Sequence, residues 1–297
     1  MGAGSLGSLL GGLLAPHHDV TLVGREPHMR AVAMEGLRIT GLIERTVSPA
    51  ATTDWSGSVD PDVAIVAVKT YDTDTAAAAM REHPAPVTIS VQNGLGSCRA
   101  LEAALGSRST ILAGTVTYGA LLDGPGCVRC TGRGEIVIGD PSGGRHPAAE
   151  RIAAAFQGGE LQCRATDDMP RHRWEKLAVN AAINPITALA RVRNGAIRDE
   201  PLRSIAASAA REVVAIASER GHAVDEAGTL ETVFEVAART ADNESSMARD
   251  VRRGRPTEID AITGAVIERS NTTLPVNQVL YALMCGYERG AGLRDPV

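Results

Sequence analysis

The sequence predicts two domains: an α/β Rossmann-type N-terminal domain, whose first strand is missing, and an all-α C-terminal domain. Short apolar runs alternate with helical stretches through the first half, and a glycine-rich loop stands at its start. After about residue 164, apolar residues instead recur at the 3.6-residue period of helices. Because the two patterns belong to different kinds of packing, we expect domains over residues 1–164 and 165–297.

Each short apolar run of the first half has the composition of a buried strand. Uninterrupted runs rich in β-branched residues are typical of a parallel sheet that is covered on both faces. The four predicted strands lie at 20–23, 63–68, 87–91 and 111–116. Helical stretches at 74–81 and 98–105 alternate with these strands and indicate right-handed βαβ units. A glycine-rich segment over 119–144 predicts β-hairpins that close the domain.

The second half has helical periodicity and no strand signal of comparable strength. Pro256 and Pro275 stand where a first helical turn tolerates proline. The predicted helices lie near 170–190, 200–220, 226–240, 256–270 and 275–288. We therefore expect the second domain to be helical throughout.

Composition and charge exclude several classes of function. The 297 residues carry a formal net charge of −5, and only 3% of them are aromatic. Neither a basic face nor stacking platforms for nucleic acid are therefore expected. No apolar run reaches the length of a membrane span, and no basic residue precedes Arg25, as a signal peptide would require. We expect a cytoplasmic protein that binds neither nucleic acid nor membranes.

The cysteines indicate neither a disulfide framework nor a metal site. Five cysteines, an odd number, are spread widely along the chain. Cys127 and Cys130 form a C-x-x-C pattern, but no second pair or nearby histidine follows at a useful spacing. If this segment is a strand, the two thiols point to opposite faces of the sheet. We expect no bound metal.

The glycines at the start of the chain fit the G-x-G-x-x-G pattern of a dinucleotide-binding loop. The first glycine allows a tight turn, the second lets a pyrophosphate approach the backbone, and the third lets the helix pack closely. The phosphates would then lie against N–H groups at the helix N-terminus. The candidate cofactor contacts in this loop are Gly2, Gly4, Ser5, Leu6 and Gly7.

A strand normally precedes this loop, but Met1 stands immediately before Gly2. Without that strand the centre of the sheet would expose backbone hydrogen-bonding groups. We therefore expect the natural protein to carry about six to eight further residues, the length of a typical strand, ahead of Met1.

The residues after the second predicted strand indicate which dinucleotide is bound. An acidic residue there would bind the ribose hydroxyls of NAD, but the chain has Gly24 and Arg25. A guanidinium suits a 2′-phosphate and so favours NADPH/NADP. Glu26 follows directly and weakens the contrast. The alternative is that Arg25 is a solvated surface residue.

A polar stripe lies on the predicted helix near 170–190. Lys176, Asn180 and Asn184 are spaced i, i+4 and i+8, which places them on one face of a helix. The other sides of that helix are apolar, so it is buried, and buried polar groups need partners. A bound substrate and cofactor would supply them. The alternative is a lysine that reaches solvent and asparagines that bind neighbouring helices.

A lysine at this position suits the reduction of a carbonyl group. Hydride adds to the carbonyl carbon while negative charge builds on the oxygen. A nearby ammonium group stabilises that charge and donates the proton. Partial burial would lower the pKa of Lys176 towards the working range.

These motifs resemble those of the ketopantoate reductase (2-dehydropantoate 2-reductase) family over nearly the whole chain. The two longest are WEKLAVNAAINPITAL at 174–189 and SSMARDVRRGRPTEID at 245–260, and they are specific in their order and separation. The shorter motifs are GAGSLG at 2–7, Lys69 at a strand end, VQNGLG at 91–96, GTVTYGA at 114–120 and GPGCVRCTGRGEIVIGD at 124–140. The resemblance implies an NADP-binding Rossmann-type domain and a helical domain for substrate binding and catalysis.

The resemblance also implies a role for individual residues. Lys176 is implied to be the catalytic proton donor. The implied substrate-binding residues are Asn93, Asn180, Asn184 and Ser246. Contacts to the cofactor are implied for Arg25, Lys69, Asn93 and Glu258, with Asn93 near the nicotinamide ribose. Glu258 and Lys69 have simpler alternatives, because the helix dipole alone favours a glutamate in a first turn and a lysine at a strand end can be merely solvated.

The sequence and the resemblance together predict the reduction of 2-dehydropantoate (ketopantoate) by NADPH, which gives pantoate for pantothenate and coenzyme A biosynthesis. One alternative is a related NADP-dependent reductase of another 2-keto acid. Another is a non-catalytic NADP-binding sensor, for which a broken polar stripe would be expected. The basic run of Arg249, Arg252, Arg253 and Arg255 either binds a substrate carboxylate or is a solvated face. The predicted partner is a small 2-keto acid, and a homodimer is left open.

Overall fold

The computed structural model describes residues 1–55, 60–157 and 161–295. The chain divides into two compact units. The first comprises Met1–Gln92 and Ser97–Met169, and the second comprises Asn93–Gly96 and Pro170–Val297. The short segment Asn93–Gly96 thus belongs to the second unit although its neighbours on both sides belong to the first. The domain boundary near residue 164 remains a proposal, and it differs from this division by a few residues.

The first unit contains both strands and helices. Its strands, in the described part of the chain, are β1 (Thr21–Val23), β2 (Leu37–Gly41), β3 (Arg45–Val47), β4 (Ala50–Thr52), β5 (Val63–Val66), β6 (Val87–Ser90), β7 (Thr110–Val116), β8 (Gly119–Gly124), β9 (Cys127–Gly132), β10 (Ile136–Gly139) and β11 (Cys163–Ala165). Its helices are α1 (Ser5–Leu14), α2 (Glu26–Glu35), α3 (Thr73–Met80), α4 (Ser97–Leu105) and α5 (Pro147–Phe156). Short 3₁₀ turns lie at Thr70–Asp72 and Gly106–Arg108.

These strands form three sheets. The largest has the order β11-β10-β7-β6-β5, in which β5, β6 and β7 run parallel and β10 is antiparallel to β7. A second sheet has the order β3-β2-β9-β8, and a parallel pair joins β1 to β4. The parallel α/β arrangement predicted from the apolar runs is confirmed. The predicted hairpin corresponds to β8 and β9, and β9 also pairs with the separate strand β2.

Met1 and Gly2 lie between β1 and β5. The Met1 amino group donates to the Ile65 carbonyl at 2.8 Å, and the Met1 carbonyl accepts from the Ala67 N–H at 2.9 Å. On the other side, the Gly2 N–H donates to the Val23 carbonyl at 2.9 Å. The backbone at the start of the glycine loop therefore pairs with both flanking strands. The expectation of a preceding strand stays a prediction.

The core of the first unit is aliphatic. Helix α1 contributes Leu9, Leu10 and Leu13, each at most 3% exposed. They share one cluster with Leu37 and Ile39 of β2. Full burial of one such side chain stabilises the fold by about 1.5–3 kcal/mol, so this face fixes the helix that follows the glycine loop.

The second unit is helical in its described residues. Its helices are α6 (Met169–Ala190), α7 (Leu202–Glu219), α8 (Glu226–Arg239), α9 (Ser246–Arg252), α10 (Ala265–Ile267) and α11 (Pro275–Gly290). A 3₁₀ segment lies at Asn194–Arg198, and a π-helical turn at Asp260–Gly264 leads into α10. The prediction of an all-helical second domain is confirmed. None of the described helices is long and apolar enough to cross a membrane.

Two parts of this unit differ from the helices predicted from the sequence. The helix predicted over 256–270 is shorter and irregular. Residues 259–267 are helical and include the π-helical turn, whereas residues 255–257 are not helical and the N–H of Thr257 bonds the Glu288 carboxylate. Helix α9 was not predicted. It spans only two turns, and the Ser245 hydroxyl caps it by accepting from the Ala248 N–H at 3.1 Å.

Small residues let α6 and α7 share a tightly packed core. Ala178 and Ala182 of α6 are fully buried, as are Ala209 and Ala210 of α7. Alanine costs no side-chain entropy in a helix and lets the backbones approach closely. The polar stripe on α6 is therefore carried by a helix whose other sides are held by dense apolar packing.

Candidate functional site

The glycine loop turns directly from the strand edge into α1. Gly2 has φ of 92°, and a β-carbon there would lie 2.5 Å from the Val68 nitrogen, so glycine is required. A β-carbon on Gly7 would collide with the Gly2 carbonyl oxygen. A β-carbon on Gly4 would instead meet no protein atom within 4 Å, and no side chain caps the first turn of α1. An open backbone surface before an uncapped helix N-terminus fits a pyrophosphate group.

Ser5 and Leu6 form the first turn of α1. The Ser5 hydroxyl accepts from the Leu122 N–H at 3.0 Å. Leu6 packs against the aliphatic core of the unit. Both side chains are therefore engaged within the protein, and what these residues offer a ligand is their backbone N–H groups.

Arg25 and Lys69 follow the carboxyl ends of β1 and β5. Arg25 is the N-cap residue of α2, and its side chain is 80% exposed. Its guanidinium lies 3.9 Å from the carboxylate of Asp72. Asp72 ends the 3₁₀ turn for which Lys69 is the N-cap residue. The structure therefore places Arg25 beside the turn that Lys69 begins, at the strand ends where open α/β sheets bind ligands.

A buried glutamine fixes the turn after Lys69. The Gln92 amide donates to the Val68 carbonyl at 3.1 Å and to the Thr73 hydroxyl at 2.7 Å. Its carbonyl oxygen accepts from the Ser90 hydroxyl at 3.1 Å. Gln92 therefore ties the end of β6 to the segment 68–73. Sequence reasoning did not find this residue, because a glutamine beside a strand carries no signal of a long-range partner.

The polar stripe of α6 contains groups without protein partners. Asn184 is 7% exposed, and the Asn180 amide nitrogen is buried without a hydrogen-bond partner. Within the described residues, the side chains of Lys176, Asn184 and Ser246 also make no hydrogen bond. Because a buried donor without a partner costs about 1–3 kcal/mol, such a group indicates a place where a ligand binds.

Lys176 and Glu258 are electrostatically coupled. Burial lowers the pKa of Lys176 to about 8, and the Glu258 carboxylate opposes that shift. Glu258 is 5% exposed and accepts a hydrogen bond from the Asn93 amide at 3.2 Å. The structure thus brings together three of the predicted residues: the ammonium of Lys176, the carboxylate of Glu258 and the amide of Asn93.

The π-helical turn holds the loop that carries Asn93. The Ala261 carbonyl accepts from the Leu95 N–H at 3.1 Å. Gly94 has φ of 76°, and a β-carbon on it would collide with the same carbonyl. Only glycine lets the loop approach this closely, and π-helical turns are frequent at functional sites for such reasons.

Ser246 is positioned through its neighbour Ser245. The Ser245 hydroxyl accepts from the Thr187 hydroxyl at 2.8 Å, and both residues are buried. The Thr187 hydroxyl oxygen also lies 2.8 Å and 3.2 Å from the Ile183 and Asn184 carbonyl oxygens of α6, which share its one hydrogen with Ser245. The first turn of α9 is therefore tied to α6 next to Asn184. Thr187 and Ser245 were not found from the sequence, because 58 residues separate them.

The glycine loop and the lysine-bearing stripe are together features of dinucleotide-dependent oxidoreductases. The family model described as ketopantoate reductase PanE/ApbA matches residues 1–143, and its C-terminal counterpart matches residues 168–288. The chain belongs to this family. A 2-dehydropantoate 2-reductase of Halobacterium salinarum is 39% identical over 292 residues, which are 95% of this chain and 96% of that protein. The one of Pyrococcus horikoshii is 38% identical over 298 residues, 98% of this chain and 97% of that protein.

A solved structure has the same fold. The crystal structure of a PanE/ApbA family ketopantoate reductase from Ralstonia eutropha matches with a TM-score of 0.88 and 29% sequence identity, and the match covers 98% of each chain. The fold class and the family predicted from the sequence are therefore confirmed.

Proposed function

We propose that this protein is a 2-dehydropantoate 2-reductase, which reduces the ketone of 2-dehydropantoate to pantoate with NADPH for pantothenate and coenzyme A biosynthesis. The observation that carries the proposal is Lys176, whose ammonium has no hydrogen-bond partner among the described residues and is influenced electrostatically by the Glu258 carboxylate. Relatives of that name match nearly the full length of the chain, which supports the choice of substrate.

Lys176 has the properties of the proton donor. When bound, NADPH supplies hydride to the ketone carbon. The Lys176 ammonium stabilises the charge that develops on the ketone oxygen and donates a proton to it. A pKa of about 8 keeps the ammonium largely protonated at neutral pH. It also makes the proton easier to transfer than that of an ordinary lysine.

The use of basic residues along the chain supports a specific need for lysine. Of the 30 Lys and Arg residues, two are lysines, Lys69 and Lys176. A guanidinium stays protonated in proteins and cannot act as a proton donor in this pH range. A chain that uses arginine at nearly every basic position keeps lysine at the position where a transferable proton is needed.

The substrate would be held by the neutral polar groups near Lys176. Asn180 and Asn184 lie one and two turns along α6, and Ser246 begins the adjoining helix α9. Amides and a hydroxyl can bind both the carboxylate and the hydroxyl group of 2-dehydropantoate. Asn93 donates to Glu258 through its side-chain amide. That amide would also contact both the substrate and the nicotinamide ribose.

The cofactor would be held by the glycine loop and the residues at the adjacent strand ends. The pyrophosphate fits the open surface at Gly4 and the uncapped N-terminus of α1. The exposed Arg25 guanidinium suits the 2′-phosphate of NADPH, and Lys69 adds a second cation at the neighbouring strand end. On the nicotinamide side, Glu258 and Asn93 would make the contacts.

The direct test is oxidation of NADPH by the purified protein with 2-dehydropantoate and a panel of other 2-keto acids. The panel is needed because amides and a hydroxyl would bind several small keto acids. We expect kcat/KM with 2-dehydropantoate to exceed that with each other acid by at least about tenfold, because one hydrogen bond contributes about 0.5–1.5 kcal/mol and about 1.4 kcal/mol corresponds to a factor of ten. Faster turnover of another acid would identify a related reductase. NADPH binding without any turnover would identify a sensor.

The proposed location is the cytoplasm, a reducing compartment in which cysteines stay unpaired. All five are free, and Cys98, Cys130, Cys163 and Cys285 are buried. Unpaired cysteines are typical of proteins in compartments that keep thiols reduced. Localisation of a tagged protein in its native cell tests this proposal, and an extracytoplasmic signal would contradict it.

A homodimer is the proposed assembly. Val279 and Leu283, one turn apart on α11, are 57% and 54% exposed. Adjacent exposed apolar side chains on one helix face are typical of an interface. Light scattering should give twice the mass of one chain for the wild type and a reduced mass for Leu283→Glu. A wild-type monomer at all accessible concentrations would contradict the proposal.

A further inference from the structure

Glu258 lies in a segment that is held on two sides. We call residues 257–264 the clamped segment. On one side, the Asn93 amide donates to the Glu258 carboxylate and the Leu95 N–H donates to the Ala261 carbonyl. On the other side lie α11, which carries Glu288, and Arg294, which follows the end of that helix. The direction of the Glu258 side chain therefore depends on contacts that are not themselves part of the polar stripe.

The Glu288 carboxylate is buried, and the hydrogen bonds that it accepts come from the clamped segment and from Arg294. It is 2% exposed. One of its oxygens accepts from both the N–H and the hydroxyl of Thr257, each at 2.7 Å. The other oxygen accepts from the Arg294 Nε at 2.9 Å. Thr257 directly precedes Glu258, so Glu288 fixes the backbone on the N-terminal side of Glu258.

Arg294 extends the same network to the C-terminal side of Glu258. Its Nη2 donates to one carboxylate oxygen of Asp260 at 2.6 Å, while its Nε binds Glu288. The other oxygen of Asp260 accepts from the Tyr281 hydroxyl at 2.8 Å. Thr257 is thus bonded to Glu288 of α11. Asp260 is bonded to Tyr281 of α11 and to Arg294, and Glu258 lies between Thr257 and Asp260 in the chain.

Stability alone does not explain a charged network at this place. A buried ion pair often contributes no more than apolar residues of the same volume. Such a network does, however, fix a single geometry, because carboxylate and guanidinium groups bond in a few defined directions. What this network fixes is the backbone on both sides of Glu258.

We propose that Glu288 and Arg294 are positioning residues for the reductase reaction, which hold Glu258 where it accepts from Asn93 and provides a counter-charge for Lys176. The inference rests on the proposed function. When the network is broken, the Glu258 carboxylate moves away from Lys176 and the ammonium loses its counter-charge.

The two-lysine composition gives a direct readout of this effect. Protein labelled with ¹³C at the lysine ε-carbon should show two lysine signals, and a Lys69→Arg variant assigns the one from Lys176. In the wild type we expect the Lys176 signal to titrate with a pKa of about 8. In Glu258→Gln, which removes the counter-charge directly, the midpoint should fall by at least about 0.5 of a pH unit, the effect of a charge several ångströms away in water.

Glu288→Ala should lower the Lys176 midpoint in the same direction as Glu258→Gln. In the double variant the two changes should not add, because both act through the same carboxylate. The activity of Glu288→Ala should show the same effect, with a lower kcat and a basic limb of kcat/KM shifted to lower pH. If Glu288→Ala does not fold, Arg294→Ala replaces it, since that side chain is 23% exposed and lies close to the chain end.

Glu212 provides a matched control on the opposite end of α11. Its carboxylate accepts from the Val276 N–H and the Asn277 N–H, both at 2.9 Å, and from the Asn277 amide at 2.8 Å. Glu212 lies on α7. Glu212→Ala therefore removes three hydrogen bonds at an end of α11, as many as Glu288→Ala removes, without touching the clamped segment. It should lower the melting temperature and leave the Lys176 titration unchanged.

The outcomes separate this inference from the proposed function. A folded Glu288→Ala variant whose Lys176 titrates as in the wild type would overturn the inference, and so would an equal shift in Glu212→Ala. The titration needs no substrate, so it remains informative if the protein fails to reduce 2-dehydropantoate. In that case the proposed function fails, while a shift common to Glu258→Gln and Glu288→Ala would still establish that Glu288 positions Glu258.

Discussion

At the scale of single residues, the proposed proton transfer requires a lysine rather than an arginine at position 176. Lys176→Arg keeps the positive charge but cannot give up a proton in this pH range. We expect kcat to fall by about 10²–10⁴-fold, the usual contribution of a positioned proton donor, with the Kd for NADPH unchanged. Stopped-flow turnover and NADPH fluorescence titration measure the two quantities. Near-normal turnover of Lys176→Arg would show that charge alone suffices.

A second single-residue prediction concerns the choice of dinucleotide. Removing a charge-assisted contact costs about 1.5–3 kcal/mol, so Arg25→Ala should weaken NADPH binding by about 10–100-fold and leave NADH binding unchanged. Arg30→Ala, which removes an exposed guanidinium one turn further along α2, is the matched control. Calorimetric titration of each variant with both dinucleotides is the measurement. Equal losses for NADPH and NADH would place Arg25 away from the 2′-phosphate.

At the scale of secondary-structure elements, a buried histidine joins three parts of the first unit. His28 on α2 is 6% exposed, and its Nδ1 accepts from the Gly126 N–H at 2.9 Å, in the turn between β8 and β9. Its Nε2 therefore carries the proton and donates to the Ser8 hydroxyl of α1 at 2.8 Å. Burial lowers the pKa of His28 below its ordinary value of 6.5. The neutral ring is thus the form that holds α1, α2 and the β8–β9 turn together.

This histidine predicts a loss of stability in mild acid. Between its folded-state pKa and 6.5, the unfolded chain binds more protons than the folded protein. The free energy of unfolding should therefore fall as the pH drops below about 6.5, and His28→Gln should remove that part of the slope. Urea unfolding at pH values from about 5 to 8, the range in which proteins are usually most stable, measures this slope. An unchanged slope in His28→Gln would assign the effect to other groups.

The contact between the Asn93 loop and the π-helical turn gives a second element-scale prediction. Gly94→Ala adds both backbone strain and a collision with the Ala261 carbonyl. Gly96→Ala is the matched control, because Gly96 also has a positive φ, of 112°, but no atom within 4 Å of the added carbon. Strain alone costs about 1–3 kcal/mol, so Gly94→Ala should lose more stability than Gly96→Ala. It should also raise KM, because Asn93 is displaced. Equal melting temperatures for the two variants would contradict the packing described here.

At the scale of the whole molecule, the sequence predicted the elements with strong local patterns. The apolar runs at 63–68, 87–91 and 111–116 became the parallel strands β5, β6 and β7, and the long periodic segment became α6. The strands β2, β3 and β4 were missed because each is only three to five residues long, and β2 and β4 pair with strands that are distant in the chain, β9 and β1. The helix predicted at 256–270 is found only over residues 259–267, and its start is shifted because Thr257 bonds the distant Glu288.

In the candidate site, the sequence alone predicted the residues that share one helix and missed those that are brought together from distant parts of the chain. Lys176, Asn180 and Asn184 share a helix, so their spacing alone places them on one face. Glu258 and Asn93 came only from the resemblance to a family, since 165 residues separate the two bonded side chains. Glu288 and Arg294 had no local signal, because a glutamate and an arginine near a chain end have the composition of a solvated surface.

The pH dependence of kcat/KM for 2-dehydropantoate at saturating NADPH tests most directly whether Lys176 is the proton donor. Lys176 must be protonated to act, and its pKa is lowered to about 8. We expect kcat/KM to be level near neutral pH and to fall by about tenfold per pH unit above the pKa of Lys176. A rate that stays constant well beyond it, in a protein that remains folded, would contradict the assignment of Lys176 as the proton donor.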